Sequence, residues 1–246
     1  MLKFFRHIRQ NLIMKNKTSK YFGYAIGEII LVVIGILIAL SINNWNENRK
    51  DHIKALEYHK RLVQDLERVN ERGKDIETRA LKTMKAIIES VKILEADSPL
   101  TPEEQNTFNY ALVWYARFNY QMPDLSTLEE MKSNGDLGLI YNVELRKDIV
   151  DFNEYLINLE SIFNTLGSTI QNNRFIDQLI RFDVDPKTLD VNHHYDLEEL
   201  RNDPIFINSF SRMANHWRGS TYFMQSSSRR SKDLGKRVID EIKTLK

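Results

Sequence analysis

The sequence has no cysteine and few of the residues that interrupt helices. Glycine occurs 9 times and proline 5 times in 246 residues, about half of the usual ~7% and ~5%. The lack of cysteine excludes disulfides, thiolate zinc sites and cysteine nucleophiles. The shortage of glycine and proline leaves little material for hairpins or glycine-rich phosphate loops, and it favours long helices.

An excess of charge of one sign is also missing. The chain carries 35 Lys and Arg against 34 Asp and Glu, a net charge of +1, so we expect no nucleic-acid partner. The sequence also has no HExxH, GxSxG, GxGxxG or P-loop motif. We therefore expect a protein that is not an enzyme, with no catalytic residue, cofactor or metal.

One long apolar segment stands out from this balanced composition. It runs from Tyr21 to Ile42 with a single charged residue, Glu28. Tyr24 and Trp45 would lie about 31 Å apart at ~1.5 Å per helical residue, which matches a ~30 Å hydrocarbon layer bordered by aromatic side chains. The sequence therefore predicts a transmembrane helix over residues 21–45, with Tyr21, Tyr24 and Trp45 as interfacial anchors.

The flanking charges predict how this helix is oriented. Acidic residues are absent before it, and the basic residues there are Lys3, Arg6, Arg9, Lys15, Lys17 and Lys20. The positive-inside rule then places the N-terminus in the cytoplasm and residues 46–246 on the other side, because the charges that follow the segment nearly cancel. A cleaved signal peptide ending near Ala39 is the alternative, but the apolar stretch exceeds the ~7–15 residues expected of one.

Residues 1–20 form a basic amphipathic segment. Phe5, Ile8 and Leu12 fall on one helical stripe, and Arg6 and Arg9 lie off it. This pattern is typical of a helix on an anionic cytoplasmic membrane surface, where both arginines would be interfacial anchors. The segment either orients the transmembrane helix or docks a cytoplasmic partner.

Small residues within the membrane segment predict a packing face for another helix. Gly23 and Gly27 form a GxxxG pair, and Gly35 and Ala39 continue the four-residue spacing on nearly the same face. Glycine is also common in membrane helices for other reasons. Glu28 is a further candidate for partner contact, since a carboxylate inside a span usually faces protein or water, but it also lies near enough to the edge to reach the headgroups.

Two stretches of the sequence carry a resemblance. The first is LKFFRHIRQNLI followed by KTSKYFGYAIGEIILVVIGILIALSINNWNENRK, and the second is LSTLEEMKSNGDLGLIYNVELRKDIVDF from Leu125 to Phe152. Together they resemble an uncharacterised family of single-pass membrane proteins from Bacteroidota. The resemblance implies a bacterial inner-membrane protein with a helical periplasmic region, and it implies no activity.

The pattern after Trp45 predicts a long helix with a heptad-like seam. Its first part is Leu62, Leu66, Val69, Gly73, Ile76 and Ala80, and after one extra-residue stutter it continues with Met84, Ile87, Val91 and Leu94. Gly73 either bends this helix or lies within it. Because Gly73 and Ala80 would pair weakly with a second copy, we expect the seam to pack on the chain's own later helices.

Capping signals divide the remainder into further helices. The predicted starts are Thr101 (with Pro102 and Glu104 completing a capping box), Ser126, Asn142 and Asp203, and the expected interruptions are Gly135 and Gly167. Residues 183–202 are the least regular part. The prediction is an all-α protein in which one N-terminal transmembrane helix precedes a single elongated extracytoplasmic helical bundle at residues 46–246.

Three clusters in the bundle are candidates for binding, and each has a plainer interpretation that we favour. The pair His193-His194 would be solvated rather than bind a metal. An aromatic cluster would belong to the core rather than line a ligand groove: Tyr110, Trp114, Tyr115, Phe118 and Tyr120. A basic run would face solvent rather than an anionic lipid or partner: Arg229, Arg230, Lys232, Lys236 and Arg237.

Two function classes follow from these features. The first is a non-enzymatic, inner-membrane-anchored accessory or scaffold protein that binds membrane or periplasmic proteins through its helices. Its contacts would be the lipid bilayer and another membrane protein or a second copy. The alternative is a periplasmic helical-bundle sensor or small-ligand-binding module. Such a sensor would need a partner, because residues 1–20 are too short for a cytoplasmic output domain.

Overall fold

The structure, a computed structural model, describes residues 18–118, 120–172, 176 and 178–245. The described chain is predominantly helical, as the sequence predicts. Its elements are α1 (Thr18–Glu95), α2 (Pro102–Trp114), α3 (Ser126–Asn134), a 3₁₀ turn (Asp136–Leu139), α4 (Val143–Asn172), β1 (Ile180–Val184), β2 (Val191–Tyr195), α5 (Leu197–Asn202) and α6 (Pro204–Thr244). The chain divides into two compact units, Met1–Ala55 and Leu56–Lys246. The second unit is a helical bundle with one hydrophobic core.

Helix α1 includes both the predicted transmembrane segment and the first predicted helix of the bundle. It continues as an α-helix through Gly73, which decides between the two alternatives for that residue. A Cβ atom at Gly73 would lie 3.7 Å from the carbonyl oxygen of Met224. The glycine therefore lies where the backbone of α6 comes close to α1, and it does not interrupt the helix.

The seam of α1 is buried inside the bundle, which confirms that it packs within the chain. From Leu62 to Leu94 the buried positions alternate four and three residues apart without a break. The predicted stutter is therefore wrong. Thr83 and Ser90, both fully buried, occupy the seam in place of Met84 and Val91. The Ser90 hydroxyl donates a hydrogen bond of 2.7 Å to the Ala86 carbonyl oxygen, so its burial leaves no polar group unpaired.

Helix α6 has a matching seam whose middle is built from serine. Ser220, Ser227 and Ser231 are buried between the apolar ends of the helix. The apolar pattern in the sequence does not mark these positions as part of the seam. The Ser231 hydroxyl donates a hydrogen bond to the carbonyl oxygen of Leu66 on α1. Small side chains with local or cross-helix hydrogen bonds thus let the two longest helices of the bundle pack closely.

Most of the predicted caps are confirmed. The Thr101 hydroxyl accepts the Glu104 amide at 3.3 Å, while the Glu104 carboxylate accepts the Thr101 amide at 2.8 Å. The side chains of Asn142 and Asp203 accept backbone amides in the first turns of α4 and α6. Gly135 ends α3 with a φ of 75°, a left-handed conformation that favours glycine.

Two predicted helix limits are wrong. Ser126 is the first residue of α3 and not its cap, and the capping position is Leu125, which offers no side-chain acceptor. Asp65 of α1 replaces the missing cap, because its Oδ2 accepts the Thr127 amide at 2.8 Å. Helix α4 also runs through Gly167 without interruption, since one glycine costs only ~1 kcal/mol of helix propensity.

Residues 180–195 form an antiparallel hairpin, which the all-α prediction missed. Its register pairs Ile180 with Tyr195 and Val184 with Val191, and Ile180 is buried against the helices. The turn uses no glycine, because the Asp185 carboxylate accepts the amide that lies two residues later at 2.7 Å. Leu189, with a φ of 61°, takes the left-handed conformation that glycine usually provides in a turn, so a low glycine count does not exclude a hairpin.

Aromatic side chains fill the core where α2, α4 and α6 meet. Phe118 stacks on Trp217 with ring centroids 4.4 Å apart, and Tyr120 meets Phe163 edge to face at 5.3 Å. The Trp217 Nε1–H donates to the Tyr115 carbonyl oxygen at 2.9 Å. The core interpretation of the aromatic cluster is therefore confirmed for Phe118 and Tyr120, which are both buried.

Candidate functional site

The apolar part of α1 is the first candidate site, and its side chains are exposed on every side of the helix. All residues from Ile29 to Ile42 are exposed, including Leu31 at 64% and Ile38 at 55%. A helix that is apolar all round belongs in a protein core or in lipid. Within the described chain its most apolar stretch has no buried residue, and the helix is long and apolar enough to cross a membrane. This helix is therefore a candidate membrane span.

Because α1 is one continuous helix, the angles around its axis show which of the residues predicted for packing lie on the same face. At ~100° per residue, Gly27 lies about 40° from Gly23, but Gly35 lies about 80° further round. The prediction that Gly35 and Ala39 share the Gly23–Gly27 face is therefore wrong. Glu28, Gly35 and Ala39 instead fall within about 40° of one another, on a face centred about 120° from that of Gly23 and Gly27.

Both faces leave room for a neighbouring helix. No atom of the described chain outside the local helix backbone lies within 4 Å of a Cβ built at Gly23, Gly27 or Gly35. Ala39 is exposed and Glu28 is half-buried. This space suits either a second helix or lipid, so the packing role of these residues stays a prediction.

Of the predicted interfacial anchors, Trp45 has a described side chain. Its indole is 67% exposed, which an interfacial position requires. Tyr21 and Tyr24 lie within α1, but the structure does not describe their side chains. Arg6 and Arg9 also lie outside the described residues, together with the rest of residues 1–17.

The two adjacent histidines lie on opposite faces of β2, because successive strand residues alternate. His194 Nε2 lies 2.9 Å from Asp183 Oδ2 across the hairpin, and this contact, with a bond from Asn192, lowers the pKa of the Asp183 carboxyl. On the other face His193 lies beside the Phe182 ring, where burial lowers its pKa. Among the residues that the structure describes, no three potential ligands converge on a metal position.

One buried titratable pair joins α1 to α6. His59 is fully buried, and its Nε2 lies 3.5 Å from Glu241 Oε1. The same carboxylate oxygen accepts the Asn142 amide at 3.1 Å, which adds the start of α4 to the cluster. Because His59 has no access to solvent, the arrangement suits a structural role better than contact with a substrate.

A cationic groove beside α6 is the second candidate site. It has a volume of about 390 Å³ and is lined by Asp148, Arg229, Arg230, Asp233, Leu234 and Arg237. The expectation that the basic run faces solvent agrees with the exposure of Arg229, whereas Arg230 and Arg237 are half-buried where they line this groove. Arg230 and Arg237 are seven residues apart and so share a helix face, which is the signal in the sequence that points to this groove.

Comparison with known proteins identifies one similarity. Residues 28–95 match the model of a family of unknown function, DUF6090. The match begins at Glu28 and ends with the last residue of α1, and the second resembling block, Leu125–Phe152, lies outside it. No curated protein and no solved structure matches the chain. Over most of α1 the chain is thus similar to an uncharacterised family.

Proposed function

We propose that this protein is a non-enzymatic accessory or scaffold protein of the bacterial inner membrane, which binds other membrane or periplasmic proteins through its helices. Helix α1 carries the proposal. Residues 29–42 are apolar and exposed all round, and residues 62–94 carry the buried seam of a compact bundle. A helix with these two halves is suited to joining a lipid-embedded segment to a folded domain.

The proposed orientation places the N-terminus in the cytoplasm and the bundle in the periplasm. It rests on the basic residues that precede the apolar segment, which include Arg6 and Arg9. Positively charged flanks remain on the cytoplasmic side when a helix inserts. In this orientation the periplasmic bundle and the membrane segment are both available to partners.

Partner binding is assigned first to the membrane segment. The face with Glu28, Gly35 and Ala39 combines small residues, which allow close helix approach, with a carboxylate that favours protein or water over lipid. The separate face with Gly23 and Gly27 is the second possibility. The partner is another membrane protein or a second copy of the chain.

Site-specific photocrosslinking in native membranes tests the proposal and distinguishes the two faces. A diazirine side chain at Val32 lies about 40° from Glu28 and 20° from Ala39, whereas one at Ile34 lies about 20° from both Gly23 and Gly27. We expect a protein adduct of defined mass from Val32 and none from Ile34. Adducts from Ile34 alone would move the interface to the GxxxG face, and protein adducts from neither position would contradict the proposal.

The alternative proposal is a periplasmic ligand-binding or sensor module that acts through a partner. The cationic groove beside α6 favours it, because a concave site with convergent polar groups is typical of small-molecule binding.

A further inference from the structure

The cationic groove contains two guanidinium groups that the chain does not neutralise. Arg237 is paired, since its Nη1 lies 2.6 Å from Asp148 Oδ2 and 4.0 Å from Asp233 Oδ2. Within the described residues, Arg229 and Arg230 have no hydrogen bond and no ion pair. The side chains that line the groove therefore keep a net charge of +1.

Arg230 is held in place by two aromatic rings of α4. Its guanidinium carbon lies 4.6 Å from the centre of the Tyr155 ring and 5.2 Å from that of Phe152. Phe152 is fully buried, and the two rings stack with an interplanar angle of 18°. A guanidinium stacked in this way keeps its N–H edge available and loses little conformational freedom on binding.

We propose that this groove binds a small oxyanion, a phosphate or carboxylate group, through Arg229 and Arg230. The planar guanidinium fork matches two oxygens of either group, and charge-assisted hydrogen bonds of this kind are the strongest available in a protein. Asp148 and Asp233 hold Arg237 as a wall of the groove, which leaves Arg229 and Arg230 to contact the oxyanion. The volume of about 390 Å³ suits a ligand of small-molecule size. The inference does not depend on the scaffold role, because it concerns the bundle and not the membrane segment.

Calorimetric titration of the full chain in a non-ionic detergent tests the inference. The probes are sodium pyrophosphate and sodium citrate, and sodium chloride at equal ionic strength is the reference. We expect saturable heat from at least one of the two oxyanions and none from chloride. The stronger of the two identifies the ligand as phosphate-like or carboxylate-like. No saturable binding of either oxyanion beyond the chloride reference would overturn the inference.

Three variants separate a built site from general attraction by positive charge. Arg230→Ala is expected to weaken binding at least about tenfold, and Arg230→Lys nearly as much, because lysine keeps the charge but loses the fork and the stacking. Arg218→Ala is the matched control, an exposed arginine on the same helix whose Nη2 donates to Asn215, and it should bind as the parent chain does. Unchanged binding in Arg230→Lys, or an equal loss in Arg218→Ala, would overturn the inference. An unliganded melting temperature for each variant checks that the fold is kept.

Discussion

The two halves of α1 are the same kind of helix, but their apolar side chains are arranged differently. Between Ile29 and Ile42 the apolar residues are continuous and exposed on all sides. Between Leu62 and Leu94 the buried residues, most of them apolar, alternate four and three apart along one face. A continuous pattern fits a medium that is apolar in every direction, while a periodic pattern fits a core on one side and water on the other.

Glycine marks a close approach of two helices at one position of α1. A Cβ at Gly73 would meet the Met224 carbonyl oxygen at 3.7 Å, whereas at Gly23, Gly27 and Gly35 nothing lies within 4 Å. Open space is not particular to the apolar segment, because Gly219 and Gly235 of α6 also have nothing within 4 Å. The glycines of the apolar segment therefore leave room for a neighbour without showing that one is present.

The largest expected effect separates the two halves by their response to charge. Replacing Val33 and Ile34 together by arginine should remove the chain from the membrane fraction, because each arginine near the centre of a span costs about 2.5–3.5 kcal/mol. Ile88→Arg is the control, since Ile88 lies on the bundle half of α1 and is 41% exposed. Alkaline carbonate extraction of membranes measures both. Retention of the double variant in the membrane would show that the apolar segment is not the anchor.

Two tryptophans give the next contrast. Trp217 is 1% exposed and stacks on Phe118, so Trp217→Ala should lower the free energy of unfolding by about 3–5 kcal/mol. Trp45 is 67% exposed, and Trp45→Ala should change it by less than about 0.5 kcal/mol. Thermal unfolding of the full chain in detergent, followed by circular dichroism, compares them. Similar losses in both variants would contradict the burial difference.

Signals within a few residues predicted the fold well, and contacts between elements explain the failures. The capping box of Thr101 and Glu104 and the apolar segment depend only on local sequence. Ser90 and the buried serines of α6 escaped prediction because a polar residue can occupy a seam when its hydroxyl bonds a backbone carbonyl oxygen. The hairpin was missed because Asp185 forms its turn without glycine.

The candidate sites divide in the same way. Composition alone identifies the apolar segment. Assigning its small residues to two faces depends on knowing that α1 is one continuous helix. The groove beside α6 requires the packing of Arg230 on two rings of α4, and those rings lie far from it in sequence. The sequence alone identified the arginines as a run of positive charge. It could not show which of them lack an acidic partner.

A cap supplied from another helix gives a smaller effect. Asp65→Ala should lower the free energy of unfolding by about 1–3 kcal/mol, because it leaves the buried Thr127 amide unpaired. Ser126→Ala is the matched control, since a true cap would cost about 1 kcal/mol and Ser126 is not the cap of α3. Chemical denaturation of the full chain measures both variants. A larger loss in Ser126→Ala than in Asp65→Ala would restore the local cap that the sequence predicted.

The smallest expected effect is on the pKa of His193, and it compares the half-buried face of the hairpin with its exposed face. His193 lies on the half-buried face, and burial followed by repulsion from His194 lowers its pKa below the ordinary ~6.5. The folded state therefore favours the neutral ring, so its contribution to stability is complete above about pH 6.5 and declines as the pH falls below that value. An NMR titration of the ring protons should give a pKa below 6.5. In His194→Gln the value should rise but stay below 6.5, because the burial remains. A pKa at or above 6.5 in the parent chain would mean that the Phe182 face of the hairpin is as open to water as the face that carries His194.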